Sequence, residues 1–182
     1  IAAVDEGAAE DALKLIEVEY EQLPYVLDAR EALRPGAPLV RSDLKDNTIR
    51  EPFTYRRGDI TRGFADADVT VENTTLTSWE QHVAMEPHAA VALWEKDKLT
   101  VWTSSQYVHA QRNVLAAALN MPQSRVRFIS EFAGGGFGDK TRIYPYHAVA
   151  ALLAEKAGKP VRYELTRKDV FLECGHNYPK YQ

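Results

Sequence analysis

The run Gly134-Gly135-Gly136-Phe137-Gly138-Asp139-Lys140 constrains this chain more than any other feature. Glycine has no Cβ, so the run permits positive φ and lets another group come directly against the main chain. Bare N–H groups in such a turn suit an oxyanion or an oxo group. Alternation at Val126, Phe128 and Ser130 predicts a strand over 125–130 leading into the run, and helical spacing predicts a helix over 144–157 leading out. A glycine run is as often a plain tight connection as a cradle. Two familiar glycine signatures are excluded on spacing. The glycines before Lys140-Thr141 do not match a Walker loop, and no G-x-G-x-x-G stands in the chain.

With 182 residues the chain makes one large or two small domains, and 45% hydrophobic residues suffice for a core. The net charge of -4 gives no reason to expect a nucleic acid or an anionic membrane surface as partner. No apolar run is long enough to span a bilayer, and no charged-then-apolar leader opens the sequence. Cys174 is the single cysteine, which excludes an internal disulfide and any Cys-based zinc or iron–sulfur site within the chain. A buried, inert thiol is its ordinary reading. Ile1-Ala2-Ala3-Val4 reads as the end of a buried strand, and Tyr181-Gln182 carries no stop signal, so a piece of a longer protein is expected.

Ala9, Ala12, Leu13 and Ile16 predict a helix over 6–16; Val18 and Tyr20 predict a strand over 17–21, ended by Pro24. The stretch 28–52, with Pro35, Pro38 and Pro52, reads as a linker. Beyond it the pattern predicts a short strand at 55–58, a helical turn or two at 60–65 and a long strand at 69–77. A hairpin follows, 89–94 and 99–103 around Glu95-Lys96-Asp97-Lys98. Helical spacing over 108–119 ends at Asn120 and Pro122, and a strand is expected at 161–165 after Gly158 and Pro160. The fold class is mixed α+β, with hairpins and βαβ elements and no internal repeat.

Two segments besides the glycine run could carry chemistry. His82-Val83-Ala84-Met85-Glu86-Pro87-His88 holds a His-Glu-His set, but not at the spacing of a helical zinc motif, and Pro87 stops a helix there. Hydrogen-bonded or structural roles are expected for it. In Thr103-Ser104-Ser105-Gln106-Tyr107 the two serines are natural helix N-caps. Gln106 offers a neutral donor and acceptor at the carboxyl end of a strand, where ligand crevices form.

Taken in order, Met85-Glu86-Pro87-His88, Leu99-Thr100-Val101-Trp102 with Ser105-Gln106, and Gly134 to Lys140 resemble the molybdenum-binding large subunit of the xanthine dehydrogenase and aldehyde oxidase family. The segment from Leu15 to Pro24 looks like the end of that family's α/β hammerhead domain. Val161 to Arg167, with Asp169 and His176, looks like the family's continuation past the loop. The resemblance implies the end of a hammerhead domain over 1–34, a linker over 35–52 and the first part of the molybdopterin-binding domain over 53–182.

It also implies a pterin-bound molybdenum centre that hydroxylates an aldehyde or N-heteroaromatic carbon with oxygen from water. In that family the glutamine of the Ser-Gln motif donates to an oxo ligand, which maps onto Gln106. The Phe-Gly of the loop lies beside the metal, which maps onto Gly136, Phe137 and Gly138 as cofactor-binding residues. The pterin's sulfurs hold the metal, so no residue here is expected to be a direct metal ligand. The family's general-base Glu is expected beyond Gln182, so the isolated chain is expected to be inactive. Purine-oxidising members carry an acidic residue where this chain has Thr141, which speaks against a purine substrate. The implied partners are the rest of the molybdenum subunit, an iron–sulfur subunit with 2Fe-2S clusters, a flavin subunit with FAD, and a small-molecule substrate, in the cytoplasm. Two other readings share the same residues. One is a non-catalytic structural or assembly component. The other is a carbon monoxide dehydrogenase-type large subunit, whose copper-bearing loop Cys174 does not match.

Overall fold

The computed structural model describes residues 1–180. It divides into two compact units, residues 1–15 together with 73 onward, and residues 16–72. Helix α1 (Glu6–Leu13) belongs to the first; Asp5 caps it by accepting the Ala8 N–H at 2.8 Å.

The 16–72 unit contains two short helices, α2 (Ala29–Ala32) and α3 (Ile60–Ala65). Each starts at an aspartate, Asp28 and Asp59, whose carboxylate accepts N–H groups of the first turn. The helix expected at 60–65 is there. The strands expected at 17–21, 55–58 and 69–77 are not regular strands; only an isolated bridge occurs, at Leu76. Alternation sets which side chains would share a face, but a strand needs a neighbour for its backbone hydrogen bonds. Val18, Tyr20, Val69 and Val71 are all exposed.

The larger unit is built on a four-stranded sheet. A two-residue strand β1 (Glu80–Gln81) precedes it. Strands β2 (Ala89–Glu95) and β3 (Lys98–Thr103) then form the expected hairpin, with Glu95 opposite Lys98. Lys96 turns the chain at φ +58. Helix α4 (Val108–Ala118) crosses over to β4 (Val126–Ile129), which pairs parallel with β3. This β3-α4-β4 connection is the expected βαβ element. Helix α5 (Pro145–Ala157) follows the glycine run, with Pro145 in its first turn and Gly158 at φ +59 as its left-handed stop. Strand β5 (Val161–Glu164) returns antiparallel to β2, giving the order β4-β3-β2-β5. The sequence pattern does not reveal α6 (Arg167–Glu173), started by a Thr166–Asp169 capping box, or β6 (His176–Asn177), which pairs with β1.

The core lies between this sheet and its helices. Ala90 and Ala92 on β2 and Ala150, Ala151 and Ala154 on α5 are buried, and small side chains on both surfaces let helix and sheet approach closely. Leu99 and Val101 from β3, Leu115 from α4 and Phe128 from β4 belong to the same buried cluster. Trp94 ties the two layers by donating its indole N–H to the Ala151 carbonyl at 2.8 Å. Among the described residues no helix is long and apolar enough to cross a membrane.

Candidate functional site

The site forms where three loops leave the sheet on one side: 82–88 before β2, 104–107 after β3 and 130–140 after β4. The parallel β3–β4 pairing puts the ends of those two strands side by side, which brings Gln106 to the glycine run. Ser105 and Ser130 fasten the two exits, with the Ser105 N–H donating to Ser130 Oγ at 3.0 Å. Ser105 does not cap α4, as the sequence suggested. Tyr107 holds the cap position, and Ser105 Oγ accepts the Tyr107 N–H and donates to the Gln111 side chain.

Gln106 lies against the run. Its Oε1 accepts the Gly138 N–H at 3.0 Å. That bond orients the amide, because only the oxygen can accept from a backbone N–H. Its NH2 group has no partner among the described residues, and neither do the Gly136 and Phe137 N–H groups. A Cβ on Gly136 would stand 2.3 Å from Gln106 Oε1, so a glycine is needed there for the amide to reach its place. Phe137 adopts φ +55, unusual for a residue with a side chain, and its ring is 71% exposed. All four residues singled out from the sequence, Gln106, Gly136, Phe137 and Gly138, are therefore brought together.

Beneath the run is a buried polar layer. Lys140 is only 1% exposed, yet its ammonium donates to Glu86 Oε2 at 2.7 Å, to the Glu86 carbonyl at 3.1 Å and to Ser104 Oγ at 3.2 Å. A buried lysine persists only when paired in this way. Burial acts to raise the Glu86 carboxyl, but the bonds from Lys140, Ser104 and Gly134 outweigh it and hold the group below its usual range. Gln111 was not foreseen from the sequence. It is 2% exposed, on the inner face of α4, and its NH2 donates to the carbonyls of Lys140 and Arg142. A lone amide on an otherwise apolar helix face was the available signal. Two surface hollows, of about 420 and 570 Å³, are lined by residues of the 16–72 unit, and neither includes a residue of the glycine run.

His88, Asp139 and Cys174 meet under the loop, all buried, with ligand-type atoms within 4.8 Å of one another. His88 Nε2 faces Asp139 Oδ2 at 3.2 Å. The other oxygen, Oδ1, accepts the Gly175 N–H at 2.8 Å and the Tyr144 hydroxyl. Burial, with the nearby Asp139 charge, pushes the Cys174 thiol up to about 12, so it stays protonated and unreactive. Burial also depresses His88, against the opposing pull of Asp139.

His147, on the first turn of α5, is 1% exposed and depressed to about 4, chiefly by burial. Its Nδ1 accepts the Tyr144 N–H at 3.2 Å, and its Nε2 reaches Thr103 Oγ1 at 3.3 Å. Thr103 Oγ1 also donates to the Ala89 carbonyl, and His147 Nδ1 stands 3.2 Å from the Tyr144 carbonyl as well, so burial within this network holds the ring neutral. The unfolded state binds the proton near the ordinary value of 6.5, well before the folded state does. Stability is therefore complete above pH 6.5 and falls as the pH drops toward 4, by roughly 3 kcal/mol from this group. Urea unfolding between about pH 7 and about pH 4 checks this. A His147→Gln variant should have a flatter profile; an unaltered slope would assign the acid loss to other groups.

Residues 40–182 match the family model described as the molybdopterin cofactor-binding domain. The chain belongs to this family. It is 37% identical over 172 residues to a probable xanthine dehydrogenase subunit of Bacillus subtilis (strain 168), covering 93% of this chain and 22% of that protein. It is 35% identical to the carbon monoxide dehydrogenase large chain of Hydrogenophaga pseudoflava, covering 90% of this chain and 22% of that one. The crystal structure of quinoline 2-oxidoreductase from Pseudomonas putida 86 superposes with a TM-score of 0.88 at 29% identity, covering 98% of this chain and 23% of that chain. The chain thus spans about 22% of the length of these two curated relatives.

Proposed function

We propose that this chain is part of the large subunit of a molybdenum hydroxylase and supplies one wall of its molybdopterin site. The observation that carries the reading is the Gln106–Gly138 contact. The Gly138 N–H holds the amide oxygen, and among the described residues neither the amide's NH2 nor the Gly136 and Phe137 N–H groups have a partner. These are neutral, preorganised donors, as an oxo-bearing centre requires. The donor set fits such a group on this observation, with one refinement: the Gly138 N–H is occupied by Gln106, so Gln106 is the donor and Gly138 its anchor.

The cofactor, when bound, supplies two-electron oxidation of an aldehyde or N-heteroaromatic carbon, with water as the source of oxygen. Gln106 orients it by hydrogen bonding, and the exposed Phe137 ring offers an apolar surface to a flat or small substrate. The buried ring layer beneath, with Tyr144, Tyr146 and His147, excludes water from below the loop. The general base belongs to another part of the subunit in this reading. The reading also includes 2Fe-2S and FAD groups on partner subunits, which take the electrons away, and a cytoplasmic setting. Residues 1–34 are proposed as the end of a hammerhead domain and 53–182 as the start of the cofactor domain.

Metal and pterin analysis tests the reading. The intact subunit should hold about one molybdenum and one pterin, whereas this chain alone should hold far less than stoichiometric amounts. An intact subunit purified without molybdenum under conditions that load a known hydroxylase would refute it.

A further inference from the structure

We propose that Glu86 and Lys140 are positioning residues that set where the Gln106 amide stands, by fastening both ends of the glycine run to a single carboxylate. The inference rests on the molybdopterin reading above. At the start of the run the Gly134 N–H donates to Glu86 Oε2 at 2.7 Å, while the Glu86 N–H donates to the Gly134 carbonyl at 3.2 Å. At its end the Lys140 ammonium donates to the same Oε2 at 2.7 Å and to the Glu86 carbonyl at 3.1 Å. One residue therefore closes the run into a loop of fixed span. The approach is close enough that a Cβ on Gly134 would stand 2.5 Å from the Glu86 Cβ.

The link to Gln106 is direct. The Lys140 carbonyl accepts the Gln106 N–H at 2.9 Å, and Gly138, inside the closed loop, holds the Gln106 side chain. Lys140 also donates to Ser104, two residues before Gln106. The lysine thus fixes the glutamine from its backbone side while the loop fixes it from its side-chain side. A second contact lies close by: His88, two residues after Glu86, faces Asp139, the residue before Lys140. The Glu86–Lys140 pair, with the His88–Asp139 contact beside it, sets the register of the loop on the 86–88 segment. A one-residue slip would take the buried Lys140 ammonium away from the Glu86 carboxylate, and a buried charge does not tolerate that loss.

The test uses the intact loaded subunit carrying Lys140→Met or Glu86→Gln, with Lys140→Arg as the conservative variant. Three quantities are measured besides turnover: molybdenum content, the electron paramagnetic resonance signal of the reduced Mo(V) centre, and amide hydrogen exchange of the segment 133–140. Loss of the clamp should leave molybdenum content near normal, alter the resonance signal, speed exchange at Gly134 and Gly138, and lower kcat roughly 10- to 100-fold. Lys140→Arg should restore part of each. A variant that folds, keeps its metal and shows unchanged resonance and exchange overturns the proposal. If Lys140→Met does not fold, Glu86→Gln decides by the same readouts. A wild-type subunit without molybdenum would overturn the functional reading instead, and the exchange measurement separates the two failures.

Discussion

Gly136→Ala is expected to cost the intact subunit roughly 100-fold in turnover while scarcely changing its unfolding midpoint. The new methyl would stand 2.3 Å from Gln106 Oε1. What it meets is the far end of a flexible side chain, so the glutamine swings away and the fold survives. The amide then loses the Gly138 N–H that orients it, and its NH2 no longer stands where it is needed. Gln106→Ala should give the same loss, and combining the two should add almost nothing, because both remove one interaction. Wild-type turnover in a fully loaded Gly136→Ala subunit would rule out the role assigned to Gln106.

Leu99→Ala is expected to destabilise the larger unit by about 4 kcal/mol, toward the upper part of the range for a buried leucine. Leu99 is 0% exposed on the inner strand β3, next to the hairpin turn and opposite Trp94 on β2 and Val126 on β4. Both neighbouring strands and the covering helices hold the walls of the resulting cavity, so little collapse can relieve it. Denaturant unfolding of this chain should show a lower midpoint at unchanged slope. A loss below about 1 kcal/mol would mean that this sheet is not the core.

The elements legible in the sequence are those whose pattern and partners lie close together along the chain. The 89–103 hairpin carries its own turn, α5 carries its proline start and glycine stop, and the short helix at 60–65 begins at an aspartate. The strands expected at 17–21 and 69–77 failed for the complementary reason. Their alternation is clear, but among the described residues no neighbouring strand turns that alternation into a regular ladder. Helix α6 was missed because its signal is a capping box followed by only seven residues, too few for a periodic pattern to stand out.

The residues of the candidate site were also readable one at a time. Gly136, Phe137 and Gly138 announce a bare backbone, and Gln106 announces a neutral donor at a strand end. Their chemistry depends on residue type alone, so sequence suffices to nominate them. What sequence could not supply is which groups are consumed in holding others. Lys140 reads as an ordinary charged loop residue and Glu86 as a hydrogen-bonded or structural one, but only the fold shows that the two pair with each other. Gln111 was not singled out from the sequence, yet it is buried and braces the loop's exit. The same holds for Gly138, whose N–H serves Gln106 rather than remaining free. Periodicity and residue type are local and survive in one dimension. Burial and hydrogen-bond pairing depend on segments far apart in the chain meeting, such as 86 with 140 and 106 with 138, and only the folded sheet brings them together.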